Sequence, residues 1–135
     1  MDVFLYDETL GITQKSLRAL RDTITRSYDH ELEVWQVDAI DGIAYGLIVM
    51  DYTKELATII GDGFRSDGGG EGGAGHRAAQ ALLALFGLKP MQADTAMDYT
   101  ENVDDYDDVI HDIPRVNPVI PMNTVPPYID YMLRR

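Results

Sequence analysis

The chain contains no cysteine, which excludes disulfide staples, thiolate metal sites and cysteine nucleophiles. That absence fits a reducing compartment. No apolar run reaches the roughly 18 residues that a membrane span requires. The opening residues, Met1-Asp2-Val3-Phe4-Leu5-Tyr6-Asp7, lack the basic start and apolar stretch of a secretion signal. The expectation is a cytoplasmic protein with no membrane partner. Positive charge is also scarce: 11 Lys and Arg stand against 23 Asp and Glu, for a formal net charge of −12. Nucleic-acid phosphates must be met by Lys and Arg, so direct nucleic-acid binding is not expected.

The charge is unevenly spread. Asp94, Asp98, Glu101, Asp104, Asp105, Asp107, Asp108 and Asp112 fall between Lys89 and Arg115 with no base among them, whereas Lys15, Arg18, Arg21 and Arg26 cluster near the N-terminus. What is present suffices for one folded unit: 135 residues, 45% of them apolar, give a core that needs no staple.

Val3–Tyr6 has the apolar character of a strand. Leu17, Leu20, Ile24 and Tyr28 recur at spacings of three and four, which predicts an amphipathic helix over 13–28 with Thr13 as its N-cap. Residues 31–40 alternate as a strand, Asp41-Gly42 is a turn pair, and 45–52 and 56–60 form a tight antiparallel hairpin across Thr53-Lys54-Glu55. His76 to Phe86, rich in alanine and leucine, predicts a second helix, with Gly87 as its C′ residue and Pro90 beyond. Pro114, Pro118, Pro121, Pro126 and Pro127 then break regular structure while apolar residues alternate between them, and Tyr128 to Leu133 has the makings of a last helical turn. The expected fold is α+β. A β-α-β-β-β-α antiparallel sheet with two helices occupies 1–90. An acidic and then proline-rich extended C-terminal arm over 91–135 packs on the core or on a neighbouring subunit. Such an apolar arm needs a groove, and a homo-oligomer assembled through it is expected.

Gly61 to Arg77 holds Gly61, Gly63, Gly68, Gly69, Gly70, Gly72, Gly73 and Gly75, eight of the twelve glycines. Backbone amides without Cβ atoms can converge on an anion, and a following helix adds its N-terminal dipole. The candidate ligand-binding set is therefore Phe64, Arg65, Ser66, Gly68, Gly69, Gly70, Gly72, Gly73, Gly75, His76 and Arg77, with Arg18 and Arg21 as further anion contacts. Phe64 is a candidate to stack on a base or cover the ligand. The segment is neither a Walker A loop nor a dinucleotide fingerprint. Asp62, Asp67 and Glu71 oppose a phosphate unless Arg65, Arg77 or a metal offsets them, and a plain flexible loop is the competing reading.

Arg65-Ser66-Asp67-Gly68-Gly69-Gly70 is similar to the Arg/Gln-x-x-Gly-x-Gly/Ala loop by which acetyltransferases of the GNAT family hold the pyrophosphate of coenzyme A. The order strand, helix, three strands, loop, helix over about residues 1–88 also looks like the first two thirds of that fold. The resemblance implies a small acyl transferase. The extra glycines before the helix, and the acidic, proline-rich remainder, depart from the family's pattern.

His76, at the expected helix start, is the single weak candidate for a catalytic acid or base. Ser66 lies outside any Gly-x-Ser-x-Gly elbow. The acids of 104–108 lack the spacing of a calcium loop and are expected to form a solvated, poorly ordered face. No cofactor or metal is expected. The function expected first is non-catalytic binding, as sequestration or sensing, of a small phosphate-containing ligand such as a nucleotide or nucleotide-derived signal. The alternative is an acidic interaction or inhibitor protein that occupies a basic, nucleic-acid-binding surface of a partner protein.

Overall fold

The computed structural model describes residues 1–67 and 69–123. The chain is a mixed α+β domain. Five strands, β1 (Asp2–Tyr6), β2 (Leu32–Asp38), β3 (Ala44–Asp51), β4 (Leu56–Arg65) and β5 (Met91–Gln92), lie side by side in the order β1-β4-β3-β2-β5. Three α-helices accompany them: α1 (Thr13–Arg26), α2 (Gly70–Leu85) and the short α3 (Asp107–Asp112).

The expectation of an antiparallel sheet is corrected. β2–β3 and β3–β4 are antiparallel, but β1 pairs with β4 in parallel and β2 with β5 in parallel. A long excursion through α1, β2 and β3 separates β1 from β4, so no tight turn forces them antiparallel. Nothing local in the sequence signals that pairing.

Period-two alternation places residues on both faces. Leu32, Val34, Leu47, Val49 and Ile60 point to a cluster completed by Leu20, Ile24, Ala79 and Leu83 of α1 and α2. Val37, Ile48, Met50, Ala57 and Ile59 point to the opposite side, where Met97, Tyr106 and Ile110 cover them. Both faces are thus buried, and each fully buried large side chain contributes roughly 1.5–3 kcal/mol.

The second cover is made by the acidic segment. The acids of 104–108 do form the expected solvated face, but the segment that carries them is folded rather than poorly ordered. Asp104, Asp105, Asp107 and Asp108 are exposed, but Tyr106 is wholly buried, donating to the Thr100 carbonyl (2.6 Å) and accepting from the Thr100 amide (2.9 Å). A 3-10 turn at Val103–Tyr106 and α3 replace the uniformly extended arm expected here. Few apolar residues are needed when each lands on a ready-made sheet face.

Glu33 anchors the chain beyond α3. Its carboxylate is buried on the second face and accepts from the Tyr52 hydroxyl (2.5 Å), the Val116 amide (3.0 Å) and the Asn117 amide (2.6 Å). Val119 exchanges backbone hydrogen bonds with Leu32. The outer edge of β2 is thereby covered in turn by Val119, β5 and Met97, which blunts an edge that would otherwise template foreign strands. The expected helical turn at Tyr128 to Leu133, with Pro126 and Pro127, lies outside the described residues. No helix among the described residues is long and apolar enough to cross a membrane.

Candidate functional site

The glycine segment is not one loop. β4 runs on through Gly61-Asp62-Gly63-Phe64-Arg65, and α2 begins at Gly70, six residues before His76, leaving only Ser66 to Gly69 as the connection. Residues 61–63 lie opposite the single residue Gly46, because Tyr45 pairs with Phe64 and Leu47 with Ile60. This wide bulge docks on the chain entering α1. The Gly61 amide donates to Thr9 Oγ1 (2.8 Å), the Gly11 amide to Asp62 Oδ1 (2.8 Å), and Thr13 Oγ1 to the Gly63 carbonyl (2.6 Å). Thr13 is therefore not an N-cap; Ile12 holds that position without a side-chain bond.

Several glycines have a packing reason. A Cβ on Gly63 would lie 2.8 Å from the Ile12 backbone, and one on Gly75 would lie 2.2 Å from Thr13 Cγ2. Gly72 lies beneath the aliphatic stem of Arg65, where a Cβ would come within 2.7 Å of Cγ. These close approaches seat α1 and α2 together on β4. The main-chain cradle is correspondingly smaller than the sequence implies: Gly72, Gly73 and Gly75 belong to the helix, and Gly73 already donates to the Gly69 carbonyl (2.8 Å). Gly68 lies outside the described residues.

What remains at the junction is a compact polar group. Gly70 takes φ +58°, a conformation that favours glycine, as the chain turns into α2. Helix geometry leaves the amides of Gly70, Glu71 and Gly72 without intrahelical partners. Arg65 extends over this first turn and is held by Asp67, with Nη2 2.6 Å from Oδ2 and Nε 3.2 Å from Oδ1. Asp67 Oδ1 also accepts from the Gly69 amide (3.0 Å). The Arg65 bond, and then the Gly69 amide, hold the Asp67 carboxyl below its ordinary range, and the same pairing raises Arg65. Ser66 is exposed in the turn.

His76 sits on the second turn of α2, where Tyr45 meets its Nδ1. Burial first, and then the charge of Asp38, push the Tyr45 pKa upward, so the phenol keeps its proton. Phe64 is wholly buried and stacked on Tyr45, with centroids 5.4 Å apart. It is a core residue here, with no face free to stack on a base or cover a ligand. Tyr45 was not legible as a partner of His76, since 31 positions separate them.

Arg18 and Arg21 lie elsewhere, in a shallow groove of about 340 Å³ between α1 and α2 with Gln14, Leu17, Ala78 and Leu82. Arg21 pairs with Asp22 at 3.0 Å, while Arg18 and exposed Arg77 have no ion-pair partner among the described residues. Neither Arg65 nor any glycine lines that groove. The structure thus separates the sequence candidates into two places, the β4–α2 junction and the α1/α2 groove.

No protein-family model matches the chain, and no curated protein or solved structure matches it.

Proposed function

We propose that the protein binds, without turning it over, a small phosphate-bearing molecule such as a nucleotide or nucleotide-derived signal at the β4–α2 junction. The observation that carries this reading is the Arg65 guanidinium held against the open first turn of α2, with a carboxylate already bound between it and the Gly69 amide. In this reading the Asp67 carboxylate stands in for a phosphate oxygen, making the same kind of contacts to the guanidinium and an amide. Both helices also begin beyond the carboxyl ends of the parallel pair β1 and β4, so both dipoles favour negative charge there. The coenzyme A loop likeness points to the same chemistry, a pyrophosphate at a helix start. Asp67 is then the competitor that a ligand displaces. A phosphate, with more charge and more acceptor oxygens, makes the stronger set of charge-assisted bonds.

Isothermal titration with a nucleotide panel tests this. One member binds, Arg65→Ala with Arg77→Ala weakens it at least about tenfold, which is about 1.4 kcal/mol, and Asp67→Asn tightens it. Heats that are absent for every member, or unchanged in the double variant, count against the reading.

We further propose assembly into a homo-oligomer through the C-terminal arm. Val116 (60% exposed) lies on the described part of that arm, and Ile40 (69%) and Ile43 (49%) project from the β2–β3 turn; exposed apolar residues of this kind suit an interface. Light scattering of the full chain and of a chain ending at Asn123 distinguishes the cases. A mass that falls on truncation assigns assembly to the arm's last residues, and a mass unchanged both on truncation and in Val116→Asp refutes the arm's role. Cutting near Lys89 would instead strip β5 and the second cover from the sheet.

A further inference from the structure

The acidic cover contains a pocket that the anion site does not use. A cavity of about 270 Å³ opens between β5 and α3, walled by Trp35, Val109, Ile113 and Pro114, with Asp94 and Asp112 among its lining residues. Both carboxylates are exposed and neither has an ion-pair partner among the described residues. No Lys or Arg lines the cavity. Trp35 is 6% exposed, and its indole N–H is, among the described residues, the buried side-chain polar group without a hydrogen-bond partner. A buried donor left unpaired costs free energy, so it marks a place where an acceptor is missing.

We propose that this cavity is the docking point for a basic partner protein, receiving one lysine or arginine side chain of an extended segment. The chemistry of the walls selects that occupant. The aliphatic stem of such a side chain packs on apolar walls while its charged head remains at the carboxylate rim. An indole adds attraction for a cation. The indole N–H itself has almost no exposed surface, so its pairing with a backbone carbonyl of the same segment requires the side chains over it to move aside on binding. Acids dominate the segment that forms this cover, eight of them with no Lys or Arg between Lys89 and Arg115, and such an excess steers a basic partner to the face before the side chain enters. The anion site at the β4–α2 junction takes no part, so either reading stands without the other.

Trp35 is the chain's single tryptophan, so its fluorescence and its indole N–H resonance report on the cavity wall with no second indole to confuse them. The probe is the peptide acetyl-Lys-Leu-Lys-Leu-Lys-amide, titrated into the full chain at low salt. The expected result is saturable change in both Trp35 signals, weakened at least tenfold in Asp94→Asn/Asp112→Asn. The control Asp98→Asn/Glu101→Gln removes the same charge outside the cavity and is expected to change affinity less than twofold. Equal weakening by both pairs overturns the proposal, because it shows diffuse attraction to an acidic surface. Silence of Trp35 overturns it as well. Spermine binding as tightly as the peptide, with the same Trp35 response, overturns the protein partner in favour of a small polyamine.

Discussion

The two faces of the sheet are covered by opposite strategies. One carries α1 and α2, regular helices whose outer surfaces bear Lys15, Arg18, Arg21 and Arg77. The other carries an acidic, largely irregular stretch that contributes Met97, Tyr106 and Ile110 and leaves its carboxylates in water. The helices bury a periodic stripe and announce themselves by it. The acidic cover buries isolated residues at irregular intervals, and its burial depends on a sheet assembled from distant parts of the chain. The lesson is that composition describes the outside of a segment, while packing is decided by the few residues that composition outvotes.

The largest effects come from removing one large core residue from each side. Ile24→Ala on the helix face is expected to cost about 2–5 kcal/mol and Tyr106→Ala on the acidic face about 3–5 kcal/mol, read from denaturant midpoints at constant slope. If Tyr106→Ala costs under about 1 kcal/mol, the acidic segment is an ornament rather than half of the core. Next in size is Glu33→Gln, which removes the charge accepting two amides of the arm and the Tyr52 hydroxyl. A loss of roughly 1.5–3 kcal/mol is expected, together with faster amide exchange at Val116 and Asn117. Unchanged exchange there would show that the arm is held by something else.

A smaller effect comes from acid. The amides of Ile43 and Ala44 hold the Asp41 carboxyl below its ordinary range at the β2–β3 turn, and Arg65 does the same for Asp67. Folded values below unfolded ones mean stabilisation that is complete above the unfolded carboxylate range and is lost as pH falls through the folded values. Asp41→Asn should therefore flatten part of the acid limb of the stability curve below about pH 4, and an unaltered limb would contradict the assignment. Trp35→Phe deletes a donor that has no partner among the described residues. Its cost should stay well under that of Tyr106→Ala, since what it removes is the indole's extra volume and not a hydrogen bond; a loss as large as that of Tyr106→Ala would contradict this.

Much of the helix side was legible. The stripe Leu17, Leu20, Ile24 carried α1, and Gly87 with φ +70° closes α2 as its position before Pro90 suggests. The start of α2 was not, because five glycines between 68 and 73 read as loop when local preference alone is weighed. Close packing on Arg65 and Thr13 supplies what propensity withholds. Arg65 and Asp67, two positions apart, were within reach of sequence reasoning. Tyr45 beside His76 was not, nor was the parallel β1–β4 pair, since both depend on long-range closure. Glu33 left a fainter trace: it shares strand parity with Trp35 and Val37, an acid on an apolar face.

Anion binding at the β4–α2 junction is decided by the backbone amide shifts of nitrogen-15-labelled protein, followed as inorganic pyrophosphate is added. Saturable shifts are expected, concentrated at Gly69, Gly70, Glu71 and Gly72 and at the Arg65 side chain, and absent after Arg65→Ala. Shifts confined to the Arg18 and Arg21 groove, or none at the β4–α2 junction, would contradict it.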